Sequence, residues 1–223
     1  MYCIKRLYDF LDRLSRNNNR EWFAAHKSEY QQLRELWLAD LDRMVALMAT
    51  ADPSLAGQNA RSSAYRIYRD TRFSPDKTPY KTIFSASVTE RGRSVNRAGY
   101  YIEIGMPRTY DQGLYGGLWS LTPQQLRKMR HAIVDIIDEW EQIVNAPDML
   151  ATFPQWVSSE LKTIPKGWPR DHEQARWLRM TNYGVYSPAA RDFFSDPSWP
   201  EQSAERFGVV RPLIDFLNYS LDE

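Results

Sequence analysis

The residues best suited to chemistry are the cationic and aromatic side chains concentrated between positions 61 and 81, in the tract RSSAYRIYRDTRFSPDKTPYK. This tract contains six Lys or Arg residues, only two Asp residues and four aromatic residues. A guanidinium can hold a phosphate or a carboxylate through two parallel hydrogen bonds, and a lysine adds a point charge. We therefore predict a binding site for a small anionic ligand, formed by Arg66, Arg69, Arg72, Lys77, Tyr80 and Lys81.

Other interpretations of this tract remain open. The arginines could pair with nearby carboxylates in a structural network that binds nothing. A hydrolase or transferase could instead use the arginines to fix an anionic substrate while Asp70 or Glu103 transfers a proton. A neighbouring arginine keeps a carboxyl group ionised, which weakens the role of general acid for either residue. Whether the protein is an enzyme therefore stays undecided.

The distribution of charge bears on nucleic-acid binding. The chain has a formal net charge of +1, yet residues 61–97 contain nine Lys or Arg against three Asp or Glu, so the remainder is net acidic. A basic segment with interleaved aromatic residues fits single-stranded nucleic acid, whereas the acidic remainder would repel it. Nucleic acid is therefore a less favoured partner than a small anion.

The same tract carries a family resemblance. Arg66, Arg69, Asp70, Arg72, Phe73, Asp76, Lys77 and Tyr80 match the signature R-x-x-R-D-x-R-F-x-x-[DN]-K-x-x-Y. This signature resembles that of a bacterial family classified as domain of unknown function family 2461. The similarity extends to NNNREWF, GYYIEI, GGLW, PKGWPRDH and RPLIDFLN, and it implies no particular reaction. One departure is that Thr181 stands where similar proteins often have a lysine.

The sequence lacks the motifs that are typical of several classes of enzyme and of metal site. The sequence contains no H-E-x-x-H, G-x-S-x-G or G-x-x-x-x-G-K motif, and its three histidines are widely separated. Cys3 is the only cysteine, which excludes an intrachain disulfide and a cysteine-rich metal site. We therefore predict no metal site and no cofactor.

The overall composition is that of a globular protein. The 223 residues are 43% hydrophobic, and we predict that residues 1–223 form a single domain. No run of about 18 apolar residues could span a membrane. The N-terminal segment alternates charged and apolar residues and is not a signal peptide, so we expect a cytoplasmic location without membrane contact.

The elements that must position the basic tract begin with two helical patterns. Ile4, Leu7, Leu11 and Leu14 share one helical face. Asn19 is a candidate N-cap for a long amphipathic helix whose buried stripe runs from Trp22 to Met48. His26 lies in that stripe, where we expect a hydrogen-bonded packing role rather than a site role.

The middle of the chain contains strand patterns. We predict strands over residues 65–73, 83–89 and 100–104, with a type I turn at Ser74, Pro75 and Asp76. In the third strand Tyr101 and Glu103 should point to one face and their neighbours to the other. The tract DQGLYGGLW at 111–119 is expected to be a tight loop, with ligand approach to its glycine backbone as an alternative.

The last part of the chain is predicted to be helical. Thr122 and Gln125 form a capping box, and the buried face that follows includes Ile136 and Trp140. A final helix should be kinked at Pro212. An exposed tryptophan-rich C-terminal quarter could serve protein interaction. The predicted fold is α+β, a small and mainly antiparallel sheet over about residues 65–105 covered by long N-terminal, central and C-terminal helices.

Overall fold

Residues 3–93, 95–106 and 112–223 are described in a computed structural model of the chain. Their α-helices are α1 Cys3–Arg16, α2 Arg20–Ala25, α3 Lys27–Ala51, α4 Ala60–Ser63, α5 Pro123–Asp135, α6 Ile137–Val144, α7 Pro147–Thr152, α8 Ala175–Arg179, α9 Arg191–Ser195 and α10 Trp199–Asp222, with a short 3-10 helix at Pro53–Leu55. None of the helices in these ranges is both long and apolar enough to cross a membrane.

The strands form one antiparallel sheet of five strands. They are β1 Ile83–Val88, β2 Gly99–Gly105, β3 Gly113–Leu118, β4 Gln155–Trp156 and β5 Tyr183–Pro188, in the order β1-β2-β3-β5-β4. Strands β1, β2 and β3 follow one another along the chain and across the sheet. Strand β5 joins them after the helices α5 to α8, and it pairs with β3 from Tyr183 to Pro188.

The predicted α+β class is confirmed, and its core lies between the sheet and two long helices. Strands β2 and β3 pack one face, called here the inner face, against α10. The Tyr100 ring lies 5.3 Å from the Phe207 ring, and a Cβ at Gly116 would meet Val210. Helix α3 lies beside α10, with Trp37 stacked on Trp199 at 5.7 Å. The face of the sheet opposite α10 is called the outer face.

The caps predicted from the sequence are confirmed. The side chain of Asn19 accepts a hydrogen bond from the Trp22 backbone N–H, and Thr122 with Gln125 forms a reciprocal capping box. The four apolar residues on the predicted face of α1 are all buried. These features depend on residues three or four positions apart, which is why a local pattern is sufficient to identify them.

The two long amphipathic patterns are each divided into two helices. The first pattern breaks at His26, whose φ and ψ of −109° and 13° separate α2 from α3. His26 stacks on Trp22 at 3.9 Å, and its Nδ1 lies 2.8 Å from the Trp22 carbonyl oxygen. The second pattern breaks at Ile136, which is 37% exposed, so its predicted place on a buried face is wrong.

The sheet differs from the predicted one in its position. Residues 65–73 form no regular strand: an isolated bridge occurs at Tyr68 and another just before the segment at Ala64, and the Asp70 side chain accepts from the Arg72 backbone N–H, a local bond in place of a strand partner. The sheet instead extends from Ile83 to Pro188 and gains β3, β4 and β5. The predicted glycine loop is strand β3 from Gly113 onward, while Asp111 lies outside the described residues.

The predicted exposure of the C-terminal tryptophans is wrong. Trp199 is fully buried and Trp177 is 7% exposed, because both pack against other aromatic rings of the core. Trp168 is partly buried beside His131 and His172. Large aromatic side chains stabilise a fold most when buried, so their number alone does not indicate a binding surface.

Candidate functional site

The predicted basic tract forms an irregular loop, called here the arginine loop, between α4 and β1. Its two arms pair near the base. The Arg69 backbone N–H donates to the Pro79 carbonyl at 2.9 Å, and the Lys81 N–H donates to the Ile67 carbonyl at 2.7 Å. Residues 70–77 form the tip beyond these bonds. The arms therefore return the chain to the sheet next to β1 and present the tip away from it.

Arg69 braces the loop from within. Its Nη1 donates to the carbonyl oxygen and the Oγ1 of Thr78 at 2.9 and 2.5 Å, and it lies 2.9 Å from Asp76 Oδ2. Nη2 reaches Ser74 Oγ at 3.4 Å. The Arg69 side chain is only 18% exposed. Its guanidinium is thus engaged by acceptors of the loop itself.

Arg72 and Asp70 form an exposed bidentate pair at the tip. Arg72 Nη2 lies 2.6 Å from Asp70 Oδ2, and its Nε lies 3.0 Å from Oδ1. Hydrogen bonding from Arg72 lowers the pKa of Asp70 to about 2. Asp70 is therefore a carboxylate at neutral pH, so it has no proton to donate as a general acid.

Lys77 closes the tip on the other side. Its Nζ donates to the Thr71 carbonyl at 2.9 Å and lies 3.5 Å from the Arg72 carbonyl. A lysine that binds two backbone carbonyls fixes the path of the chain between them. Lys77 thus acts with Arg69 to hold the shape of the tip.

Tyr80 is part of the core rather than of an open site. It is 5% exposed, and its ring stacks on Phe23 at 3.9 Å. Asn18 holds its backbone from both sides, donating to the Tyr80 carbonyl at 2.9 Å and accepting from the Tyr80 N–H at 3.1 Å. Burial raises the pKa of Tyr80.

The remaining two predicted cations, Arg66 and Lys81, face a different environment. Lys81 Nζ and the Arg93 guanidinium each lie 5.0 Å from the Tyr65 ring. Burial is the largest influence that lowers the pKa of Lys81, followed by the positive charge of Arg66, while Glu103 acts in the opposite direction. Neither Arg66 nor Lys81 makes an ion pair with the residues that the structure describes.

A cavity of about 320 Å³ opens on the outer face beside these cations. Its walls include Tyr65, Tyr101, Tyr115 and Trp119, and Gly99 with its cross-strand partner Gly117 lies between them; the other lining residues are Ser87, Thr89, Arg97, Tyr100, Glu103 and Val157. The absence of side chains at the paired glycines leaves depth between the aromatic walls. Gly117 also has a φ of +144°, which a side chain would strain.

A row of tyrosines crosses the outer face of the sheet. Tyr101, Tyr115 and Tyr186 are cross-strand neighbours on β2, β3 and β5. Their ring centroids are 5.6 and 4.7 Å apart along the row. The Tyr65 ring meets the Tyr101 ring edge-on at 6.2 Å, which connects this row to the arginine loop.

Glu103 lies next to this row and lines the cavity. The Tyr101 hydroxyl donates to Glu103 Oε2 at 2.7 Å. Burial raises the pKa of Glu103, and the bond from Tyr101 and the charge of Lys81 oppose that rise. Glu103 thus retains a proton to higher pH than an exposed glutamate does. Of the two predicted carboxylates, it is the one with an environment suited to proton transfer.

Two further polar residues of the cavity differ in how they are satisfied. Thr89 is 5% exposed, and its Oγ1 is buried without a hydrogen-bond partner in the described part of the chain. Arg97 is fully engaged, because it binds Glu90 at 2.6 Å and Asp222 at 2.7 and 2.8 Å. Thr89 therefore contributes a buried, unsatisfied hydroxyl to the wall, whereas Arg97 stabilises the wall through its ion pairs.

The structure brings together only some of the residues predicted as site residues. Arg66, Lys81 and Glu103 lie near the cavity, whereas Asp70 lies at the loop tip with Arg72 and Lys77. The aromatic walls and Thr89 were missed. The alternation of β2 did place Tyr101 and Glu103 on one face, but their partners on β3 lay in the tract interpreted as a loop. Within the described residues, no cluster of three or more His, Cys, Asp or Glu could hold a metal ion.

Comparison with known proteins gives one match. A family model described as "Conserved hypothetical protein (DUF2461)" matches residues 6–216, which is nearly the whole chain. No curated protein and no solved structure matches the chain. The family resemblance predicted from the sequence is confirmed, and a functional assignment has to come from the site itself.

Proposed function

Because the chain belongs to the DUF2461 family of conserved hypothetical proteins, whose description assigns no activity, we propose a function from the site alone: the protein binds a small anionic molecule in the outer-face cavity. The observation that carries this proposal is the group of cations around Tyr65, a residue of the cavity wall. Lys81, Arg66 and Arg93 are opposed there by Glu103 alone among the charges that influence Lys81. Lys81 is partly buried while Arg66 and Arg93 are exposed, and an anion bound beside Lys81 would stabilise its charge and offset the repulsion among the three cations.

The rest of the cavity indicates the size and polarity of the part of the ligand that carries no charge. Aromatic walls and a volume of about 320 Å³ suit a small molecule with a flat or apolar portion. We therefore propose a carboxylate or phosphate compound whose anionic group binds Lys81 and Arg66, and whose ring or chain lies along the tyrosines.

This proposal divides the predicted anion-binding residues into two groups. Arg66 and Lys81 contact the ligand. Arg69 and Lys77 hold the arginine loop, since their donors bind loop acceptors, and Arg72 is paired with Asp70 at the exposed tip. The signature is thus part ligand site and part scaffold.

The test is a thermal-shift screen with phosphate, sulfate, nucleotides, sugar phosphates and dicarboxylates. A ligand present at about 100 times its Kd stabilises the folded protein by about 2.7 kcal/mol. The variant Lys81→Met, which keeps most of the apolar stem, should lose that shift. Lys77→Met makes the same change on the same loop away from the cavity and should keep it. Retention of the shift by Lys81→Met, or no shift with any compound, would contradict the proposal.

A second candidate is an acid–base enzyme acting on the same class of anion. The specific observation in its favour is Glu103, a cavity carboxyl whose pKa is raised by burial and which accepts a bond from Tyr101. A carboxyl whose pKa is raised in this way is a candidate to exchange a proton with a bound substrate. Glu103→Gln should then abolish turnover of a compound that still produces a thermal shift. If the wild-type protein binds a compound but does not convert it, the binding function stands and the enzyme function is refuted.

A further inference from the structure

Phe73, at the tip of the arginine loop, is 93% exposed. Its only aromatic or cationic contact among the described residues is with Arg72, whose guanidinium lies 5.8 Å from the ring. Arg72 is itself 77% exposed, and its Nη1 makes no hydrogen bond with the residues described. A ring exposed to this extent leaves water only if a partner covers it, and phenylalanine is among the residues enriched at protein interfaces.

The loop presents this ring in a fixed conformation. Arg69 binds Thr78 and Asp76 below the tip, and Lys77 binds the carbonyls of Thr71 and Arg72 directly before the ring. A segment already held in shape loses little conformational entropy when a partner binds it. The polar network of the signature therefore preorganises Phe73 for contact.

A groove of about 950 Å³ lies between α6, α7 and α10. Its apolar lining consists of Ile136, Ile143, Ala146, Met149, Val209, Pro212 and Phe216. Three carboxylates, those of Glu139, Asp148 and Asp215, also line it, and the lining formed by the described residues contains no Lys or Arg. The groove is thus an apolar depression with acidic borders.

Two details make the groove receptive. Pro212 has no N–H, so the carbonyl of Gly208, four residues earlier in α10, lacks its usual helical donor. Both residues line the groove, and the space beside Gly208 is open. An acceptor and an unfilled surface therefore lie together on this side of α10.

We propose that Phe73 of one molecule docks in the groove of a second copy of the chain. Its apolar ring matches the groove lining, while Arg72 and Lys77 match the carboxylates of Glu139 and Asp148. The ring of the tip, flanked by the Arg72 and Lys77 cations, is complementary to an apolar groove bordered by carboxylates, and Asp70 offsets only part of that charge because the Arg72 Nη1 stays unpaired among the described residues; this match is the basis for choosing a second copy as the partner. Because two different surfaces meet, the contact is heterologous, and it can extend into a ring or a chain of molecules.

The experiment is sedimentation velocity of the full chain from about 1 μM to about 1 mM, a range that covers the dissociation constants of weak interfaces. The wild-type protein should associate as concentration rises, and less so at high salt. Phe73→Ser should weaken association by about ten- to a hundredfold, the loss expected for one buried phenylalanine ring. Leu161→Ser, which alters another exposed apolar residue, should not.

The groove is tested with the double charge reversal Glu139→Lys and Asp148→Lys. Asp138→Lys is the matched control, because this exposed residue lies on the same helix and outside the groove lining. The double variant should not associate with itself, whereas the control should behave as the wild-type protein does.

Mixing gives the decisive result. The Phe73 variant keeps an intact groove and the groove variant keeps an intact tip, so an equal mixture should form a complex of one molecule of each and grow no further. A wild-type protein that stays monomeric, association unaffected by Phe73→Ser, or a mixture that fails to associate would each overturn the proposal.

Discussion

The role of Arg69 as a brace gives the sharpest prediction from the structure. Arg69→Ala removes the bond to the Thr78 carbonyl and the ion pair with Asp76, and the Asp76 carboxylate keeps the hydrogen bond from the Thr78 backbone N–H. A hydrogen bond to a charged group contributes about 1.5–3 kcal/mol. Asp76 is 40% exposed and the Ser74 contact is long, so solvent replaces part of the loss. We expect a total destabilisation of about 2–3 kcal/mol.

The assay is urea denaturation followed by the fluorescence of the eight tryptophans. For a chain of this size the loss corresponds to a decrease in Tm of about 4–12 °C. Arg72→Ala is the matched control, because Arg72 carries the same charge on the same loop and forms a fully exposed pair. It should leave the denaturation midpoint close to that of the wild-type protein.

Arg69→Lys separates shape from charge. Lysine keeps the positive charge but cannot reach Thr78 and Asp76 together with a planar fork. The Arg69→Lys protein should therefore lose at least half as much free energy of unfolding as the Arg69→Ala protein loses. Equal losses in the Arg69→Ala and Arg72→Ala proteins, or a loss below about 0.5 kcal/mol in the former, would refute the bracing role.

Three other predictions concern single groups. NMR titration of the Asp70 carboxyl carbon should give a pKa of about 2, and Arg72→Ala should return it toward the ordinary aspartate range; since the folded pKa is lowered, the pair's contribution to stability, which full exposure makes small, is present above that range and is lost as pH falls toward 2. Glu103→Gln should lower the pKa of Lys81 further, because the substitution removes the negative charge that raises this pKa. NMR of the isotopically methylated Lys81 amine measures the pKa, and an unchanged value would mean that Glu103 and Lys81 do not interact. Gly117→Ala should destabilise the fold by about 2 kcal/mol or more in urea, because a Cβ there overlaps a strand carbonyl at a φ of +144°; a wild-type midpoint would contradict the glycine's place in the cavity.

The helices could be predicted well because their signals are local. Asn19, Thr122 and Gln125 cap helices through bonds to residues three positions away, so their types and spacing are enough. The breaks at His26 and Ile136 could not be seen, because the apolar spacing continues through both positions. A change of backbone angle that preserves the buried stripe leaves no mark on the hydrophobic pattern.

Strand β3 could not be predicted because the interactions that make it a strand are not local. Its sequence, GLYGGL, lacks the β-branched residues that favour strands. It is a strand because β2 and β5 bind it from both sides and because Gly116 admits Val210 of α10. Two of these partners, β5 and α10, lie far away in the sequence. Because the cavity depends on this strand, the aromatic walls of the cavity could not be predicted from the sequence either.

The signature itself illustrates why residue type and residue role differ. Arg66 and Arg69 are three positions apart, and in a nearly extended arm an odd separation directs side chains to opposite sides. Arg69 turns into the loop and is 18% exposed, whereas Arg66 is exposed and acts on the charge of Lys81. One arginine can thus shape the loop while the other serves the cavity. Substitution at Arg69 should change stability before binding, and substitution at Arg66 should change binding alone, so the two functions of one short motif can be separated by experiment.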